Sequence, residues 1–186
     1  MGQPSQKFAR LYAPVLFYCF MEVKMIELPE HVKIEEVPIE NRYKSVTAGL
    51  VRRIKILYDA VYEKYGEDGL DLIREVGRKY GMEIAERAKK RIKSNNIESV
   101  ARYVIRIFNT LRGNGKVVEF SDKRVVIRVW ECPYNWETPE MCEAHTQMEK
   151  TLVETLGRNL CYRIAKSVPK GDPYCDHIIE YKEILT

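Results

Sequence analysis

Cysteine and histidine gather in the last third of this chain. Four of the five cysteines (Cys132, Cys142, Cys161 and Cys175) and two of the three histidines (His145 and His177) fall between residues 132 and 177. Thiolate and imidazole are the ligands that zinc or an iron–sulfur cluster prefers. Cys132, Cys142, His145 and Cys175 make a four-ligand set for such a centre. Cys142 and His145 are three residues apart, so on a helix they share a face. Cys175 and His177 are two apart, so on a strand they point to one side. No Cys-x-x-Cys occurs, and the spacing matches neither a zinc finger nor a ferredoxin.

The same residues fit a second chemistry. A cysteine near a helix N-terminus has its thiol pKa lowered by the macrodipole. Cys142 would then be a nucleophile, with His145 or His177 as its base and Glu143 or Asp172 as the orienting acid. A third reading is plainer: cysteine is among the most buried residue types and packs as a small hydrophobe. Cys161 is the residue least tied to any of these. Trp130, Tyr134 and Trp136 crowd the Cys132 segment and could line a pocket or belong to the core. Arg128 and Arg163 suit either a carboxylate ligand or a solvated strand face. Gly171-Asp172 is a turn signal.

The elements that must position these groups can be read from periodicity. Tyr43, Val46, Leu50, Ile54, Leu57, Val61 and Tyr65 recur at three or four residues and form one apolar helical stripe, closed by Gly66. Asp68 is a cap for a second helix, with Leu70, Ile73, Val76 or Gly77, Tyr80, Ile84, Ala88 and Ile92 on its apolar face. Asn95 or Asn96 caps a third, carrying Val100, Val104, Ile107 and Leu111. Gly113-Asn-Gly115 ends it. Lys116–Phe120 and Arg124–Cys132 flank Ser121-Asp-Lys123 and read as a hairpin, with Trp130 and Arg128 on the face of Cys132. Thr138 and Pro139 open a fourth helix that reaches Leu156 and stops at Gly157. Leu160–Val168 and Asp176–Leu185 are the last strands. The expected fold is α+β: a helical N-terminal half, then a four-stranded antiparallel sheet with an inserted helix (ββαββ), its helices on one face.

Composition sets the context. The chain has 186 residues, 45% of them hydrophobic, which suits one domain with a real core. We expect an extension over residues 1–25 and one α+β domain over 26–186, with a helical part at 42–113 and a sheet part with the Cys/His site at 116–186. Lys7 and Arg10 precede an apolar run, Leu11 to Met21, that imitates a signal peptide. No small-residue cleavage site follows, and the run is too short to span a bilayer. Met21 and Met25 are alternative starts. An odd number of cysteines without a secretion signal points to reduced thiols and a cytoplasmic protein. The Tyr-, Ile- and charge-rich composition leans towards a thermophile. Net charge is only +4, and the basic run Arg87–Arg91 lies in a helix pattern, so neither nucleic acid nor membrane is an expected partner. The long helices and the apolar arm would serve a homodimer.

Tyr65-Gly-Glu-Asp-Gly69 opening a helix, Cys132-Pro, Cys142-x-x-His145 and Gly171-Asp-x-x-Cys175 together resemble the L-2-amino-thiazoline-4-carboxylic acid hydrolase-like family. They are more distantly similar to the four-vinyl-reductase-type small-molecule-binding domains. The likeness covers roughly residues 42 to 182. It implies an α+β fold, a small-molecule ligand and hydrolysis of a C–N bond, with Cys132, Cys142, His145 and Cys175 as the matching positions. Cys161 and His177 match nothing in that pattern. The functional expectation is a small-molecule-binding protein, acting as a hydrolase through Cys142 and His145 in its enzymatic form. The alternative is a non-enzymatic sensor or interaction module with a structural metal or buried thiols.

Overall fold

The computed structural model describes residues 36–110 and 115–182. Every element below belongs to the unit Pro38–Thr186. Three helices come first: α1 (Ile39–Tyr65), α2 (Glu67–Lys89) and α3 (Ile97–Thr110). They are followed by β1 (Gly115–Phe120), β2 (Arg124–Val129), α4 (Pro139–Leu156), β3 (Leu160–Lys166) and β4 (Cys175–Tyr181). The strands form one antiparallel sheet in the order β1-β2-β4-β3. The α+β class and the ββαββ order are those read from the sequence.

Local chemistry explains most boundaries. Gly66 alone joins α1 to α2; it adopts φ 57° and donates its N–H to the Tyr62 carbonyl at 2.7 Å. Glycine takes that positive φ at no steric cost. Asp68, expected as a cap, lies instead in the first turn of α2 beside Glu67, where both carboxylates favour the positive end of the helix dipole. Asn96 Oδ1 accepts the Ser99 N–H at 3.0 Å and so caps α3. Thr138 Oγ1 accepts the Met141 N–H at 3.2 Å, with Pro139 at the first position of α4.

Three expectations are corrected. Strand β2 ends at Val129, whose partners Gly115 and Cys175 make the last rungs of the ladder. Trp130 and Cys132 therefore lie on the following loop and share no strand face with Arg128. That loop turns where the Cys132 carbonyl accepts the Asn135 N–H at 3.2 Å. Strand β3 stops at Lys166, because Val168–Lys170 winds into a 3-10 turn that includes Pro169. On α2, Gly77 and not its alternative Val76 faces inward with Leu70, Ile73, Ile84 and Ala88, and Gly81 takes the place expected of Tyr80, which is exposed. Leu111 and Gly113 fall outside the described residues.

Close helix packing requires those two glycines. A Cβ at Gly81 would sit 2.5 Å from the Met148 carbonyl oxygen, and one at Gly77 would sit 3.2 Å from the Met148 nitrogen. Helices α2 and α4 thus meet backbone to backbone. The main core lies where α3 and α4 cover the sheet face bearing Val125, Ile127, Val129, Tyr162 and Ile179. A second cluster joins Leu70 and Ile73 of α2 to Trp136, Met141, Cys142 and Ala144. The opposite sheet face carries the Arg128–Asp176 and Arg163–Glu180 ion pairs at 2.8 and 2.6 Å. Both arginines answer protein carboxylates there.

Gly81→Ala should lower stability by ~1–3 kcal/mol, since the added methyl meets backbone that cannot rotate away. Helix propensity alone predicts the opposite, a gain of ~1 kcal/mol. Urea unfolding of the two proteins decides between them.

Candidate functional site: an aromatic-walled cavity

Helix α4 presents Cys142, His145 and Glu149 along one side, at three- and four-residue spacing. The loop after β2 brings Cys132, Tyr134 and Trp136 over them. Strand β4 supplies Cys175 and His177 from beneath. Together with Phe108 of α3, these residues line a cavity of about 70 Å³. All four positions expected as site residues, Cys132, Cys142, His145 and Cys175, border it. His177 joins them, and Cys161 does not. It lies on the opposite sheet face, in register with Glu180.

His145 is wrapped in aromatic rings. The ring centroids of Tyr134, Trp136 and Tyr58 lie 4.2, 5.1 and 6.0 Å from its own. Trp136 stacks between Tyr58 at 5.7 Å and Tyr134 at 5.2 Å. Burial forces the imidazole neutral, lowering its pKa to about 4. His177 is likewise held neutral by burial, at about 4. Its Nδ1 pairs with the Tyr162 hydroxyl at 2.5 Å, and Phe108 meets the ring edge-on at 4.9 Å.

Glu149 is only 7% exposed. Burial raises its carboxyl to about pKa 7. Three buried polar atoms around this cavity have no hydrogen-bond partner among the described residues: Trp136 Nε1, His145 Nδ1 and Glu149 Oε2. Buried polar groups are nearly always paired, so three orphans at one place need an explanation. Glu149 and Phe108 were not singled out from the sequence. For Glu149 the signal existed: it is four residues after His145 and seven after Cys142.

The thiols form a partition. Cys132, Cys142 and Cys175, with Trp136, border both the inner cavity and an outer cleft of about 290 Å³. Cys142 lies in the early turns of α4, as expected. Burial outweighs the helix dipole there and pushes its thiol up to about 11. The Ser167 hydroxyl lies 4.0 Å from Cys142 Sγ, and the Val168 N–H donates to Cys175 Sγ at 3.3 Å. Among the described residues no hydrogen bond joins Cys142 to His145. Among them, too, no three Cys, His, Asp or Glu side chains converge as a metal ion requires. Asp172 Oδ2 accepts the Ser167 N–H at 2.8 Å and holds the turn. No helix of the described residues is long and apolar enough to cross a membrane.

The buried groups set a pH dependence. Glu149 favours its proton in the folded state, so its burial costs nothing below its unfolded pKa of about 4.5. The penalty grows as pH rises towards 7. The two histidines act oppositely: their penalty grows as pH falls from about 6.5 to 4. Glu149→Gln should therefore be more stable than wild type at pH 8, by up to ~3 kcal/mol at 1.36 kcal/mol per pKa unit, and equal to it near pH 4. Urea unfolding at several pH values checks this. A difference independent of pH would show that the carboxyl titrates normally.

No family model matches the chain, so the family resemblance extends no further than its motifs. No curated protein matches either. Solved structures do. One is a trafficking protein particle complex subunit 3 from Naegleria fowleri, covalently bound to palmitic acid. It aligns with a TM-score of 0.57 at 17% identity, over 77% of this chain and 99% of that one. Another is the phenol-responsive sensory domain of the transcription activator PoxR with phenol, at TM-score 0.51 and 15% identity, over 73% of this chain and 74% of that one. Likeness at this level of identity establishes a shared fold.

Proposed function

We propose that this chain is a small-molecule-binding domain of the sensory type, whose ligand has a compact apolar body and one hydroxyl-like group. The observation that carries this reading is the set of three orphaned polar atoms at one aromatic-walled cavity. Trp136 Nε1–H can only donate. Glu149 Oε2 accepts when ionised, and His145 Nδ1 takes either role according to its tautomer. A group that both donates and accepts, as a hydroxyl does, satisfies the inventory. Each orphan left unpaired costs ~1–3 kcal/mol, and a bound ligand removes that cost. The rings supply the apolar walls usual in ligand pockets. The two solved neighbours support the reading by kind, since each is named with a bound molecule that joins an apolar body to an oxygen head.

Size bounds the ligand. An engineered cavity of ~150 Å³ accepts benzene, and this one is about 70 Å³. A phenol-sized guest therefore needs the Tyr134–Trp136 loop to shift outward. Hydrolysis of a C–N bond asks more of the same groups. A thiol at about 11 offers little thiolate near neutrality, so the geometry favours binding over nucleophilic attack.

Calorimetric titration with phenol and with short alcohols tests the proposal. Saturable binding is expected, weakened about fivefold or more by Trp136→Phe, which keeps the stack and removes the donor, on the ~1 kcal/mol scale of one hydrogen bond. Glu149→Gln should change affinity as well. Absence of binding to any neutral hydroxyl compound, or affinity indifferent to Trp136→Phe, would reject this ligand class.

A further inference from the structure

Helix α1 carries an apolar surface that the other described residues leave largely open, although Tyr43 donates its hydroxyl to the Thr110 carbonyl. Ile39 is 75% exposed, Tyr43 45%, Val46 59%, Leu50 53% and Leu57 59%. The residues by which α1 packs inward, Val51, Ile54, Tyr58 and Val61, adjoin this surface along one edge. Of residues 39–50, only Thr47 is even half-buried. A twelve-residue helical stretch has little stability in water without packing.

The exposed residues repeat with coiled-coil spacing. Ile39, Tyr43, Val46, Leu50, Arg53 and Leu57 follow intervals of four, three, four, three and four, which read the same in both directions. A copy of α1 laid antiparallel across this one, on a two-fold axis near Ala48, sets Ile39 opposite Leu57, Val46 opposite Leu50, and Tyr43 opposite Arg53. The last pair brings a guanidinium to an aromatic face. A parallel arrangement would set Arg53 against Arg53.

Gly49 points the same way. Gly69, Gly77 and Gly81 are each forced by a close neighbour, but a Cβ at Gly49 would meet nothing within 4 Å. A mid-helix glycine costs ~1 kcal/mol relative to alanine. Its smallness answers no neighbour among the described residues, and it flanks the exposed stripe.

We propose that the exposed stripe of α1 is the interface of a two-fold homodimer, with α1 packed antiparallel against α1 of a second copy. The apolar stripe amounts to roughly 600 Å² per chain, so pairing removes about 1,200 Å² from water, the lower bound for a stable specific interface. An interface of that size is below the range of obligate assemblies.

Sedimentation equilibrium on the full chain tests the proposal. The wild type should approach twice the 21.8 kDa chain mass as concentration rises. Val46→Lys with Leu50→Lys should keep the circular dichroism of the wild type, because both positions are exposed, and should sediment as a monomer. Gly49→Leu should weaken association at least tenfold. A wild type that stays monomeric at high micromolar concentration overturns the proposal. So does a dimer that persists unchanged in the folded double-lysine variant, which would place the interface elsewhere.

Discussion

The contact between α2 and α4 is the constraint on which the site depends. These helices meet at a distance only glycine allows, with Gly77 and Gly81 facing the backbone around Met148. That contact fixes the rotation of α4. Met141, Ala144 and Met148 turn towards α2 and the core, so Cys142, His145 and Glu149 must turn towards the loop after β2 and the sheet. Arg74 of α2 reinforces the same docking through Glu143 at 2.8 Å. Being exposed, that ion pair adds little energy and mainly selects geometry.

Inside the cavity, removal from water decides the electrostatics. Glu149 and His145 stand four residues apart on α4, and the pKa of each is governed by loss of water and not by a charged neighbour. Burial therefore drives both towards neutrality, along with the thiol of Cys142. A pocket of neutral hydrogen-bonding groups within stacked rings discriminates by shape and by the match of donors to acceptors. It does not attract ions from a distance. This is the physical reason the binding reading is stronger than the nucleophilic one.

The elements were legible because their signals are local. Thr138-Pro139 starts α4, Gly66 and Gly157 stop helices, and the alternation from Arg124 makes β2. That the pairs Cys142–His145 and Cys175–His177 border one cavity was legible for the same reason, since helix spacing aligned the first and strand spacing the second. What escaped depends on tertiary distance. Gly77 and Gly81 look like weak points of an amphipathic helix until α4 is placed against them. Cys132 reads as the end of a strand until the ladder is seen to stop at Val129. The fate of the Cys142 thiol turned on burial, which the Ser167 hydroxyl offsets only in part and which no position in α4 reveals. Glu149 carried the right spacing, but a glutamate on a helix is ordinarily solvated.

Tyr58 belongs to α1, yet its ring forms the outer leaf of the stack that encloses His145. One residue, Gly66, joins α1 to the rest of the helical layer. A change in the tilt of α1 therefore moves the ring that backs Trp136, itself a wall of the cavity, and a guest that spreads the stack pushes back on α1. Self-association through α1 and occupancy of the cavity are then two halves of one thermodynamic cycle. Whatever factor one applies to the other must be returned in full. An affinity measured on dilute protein and one measured on concentrated protein need not agree, and their ratio would report how stiffly that helix transmits force.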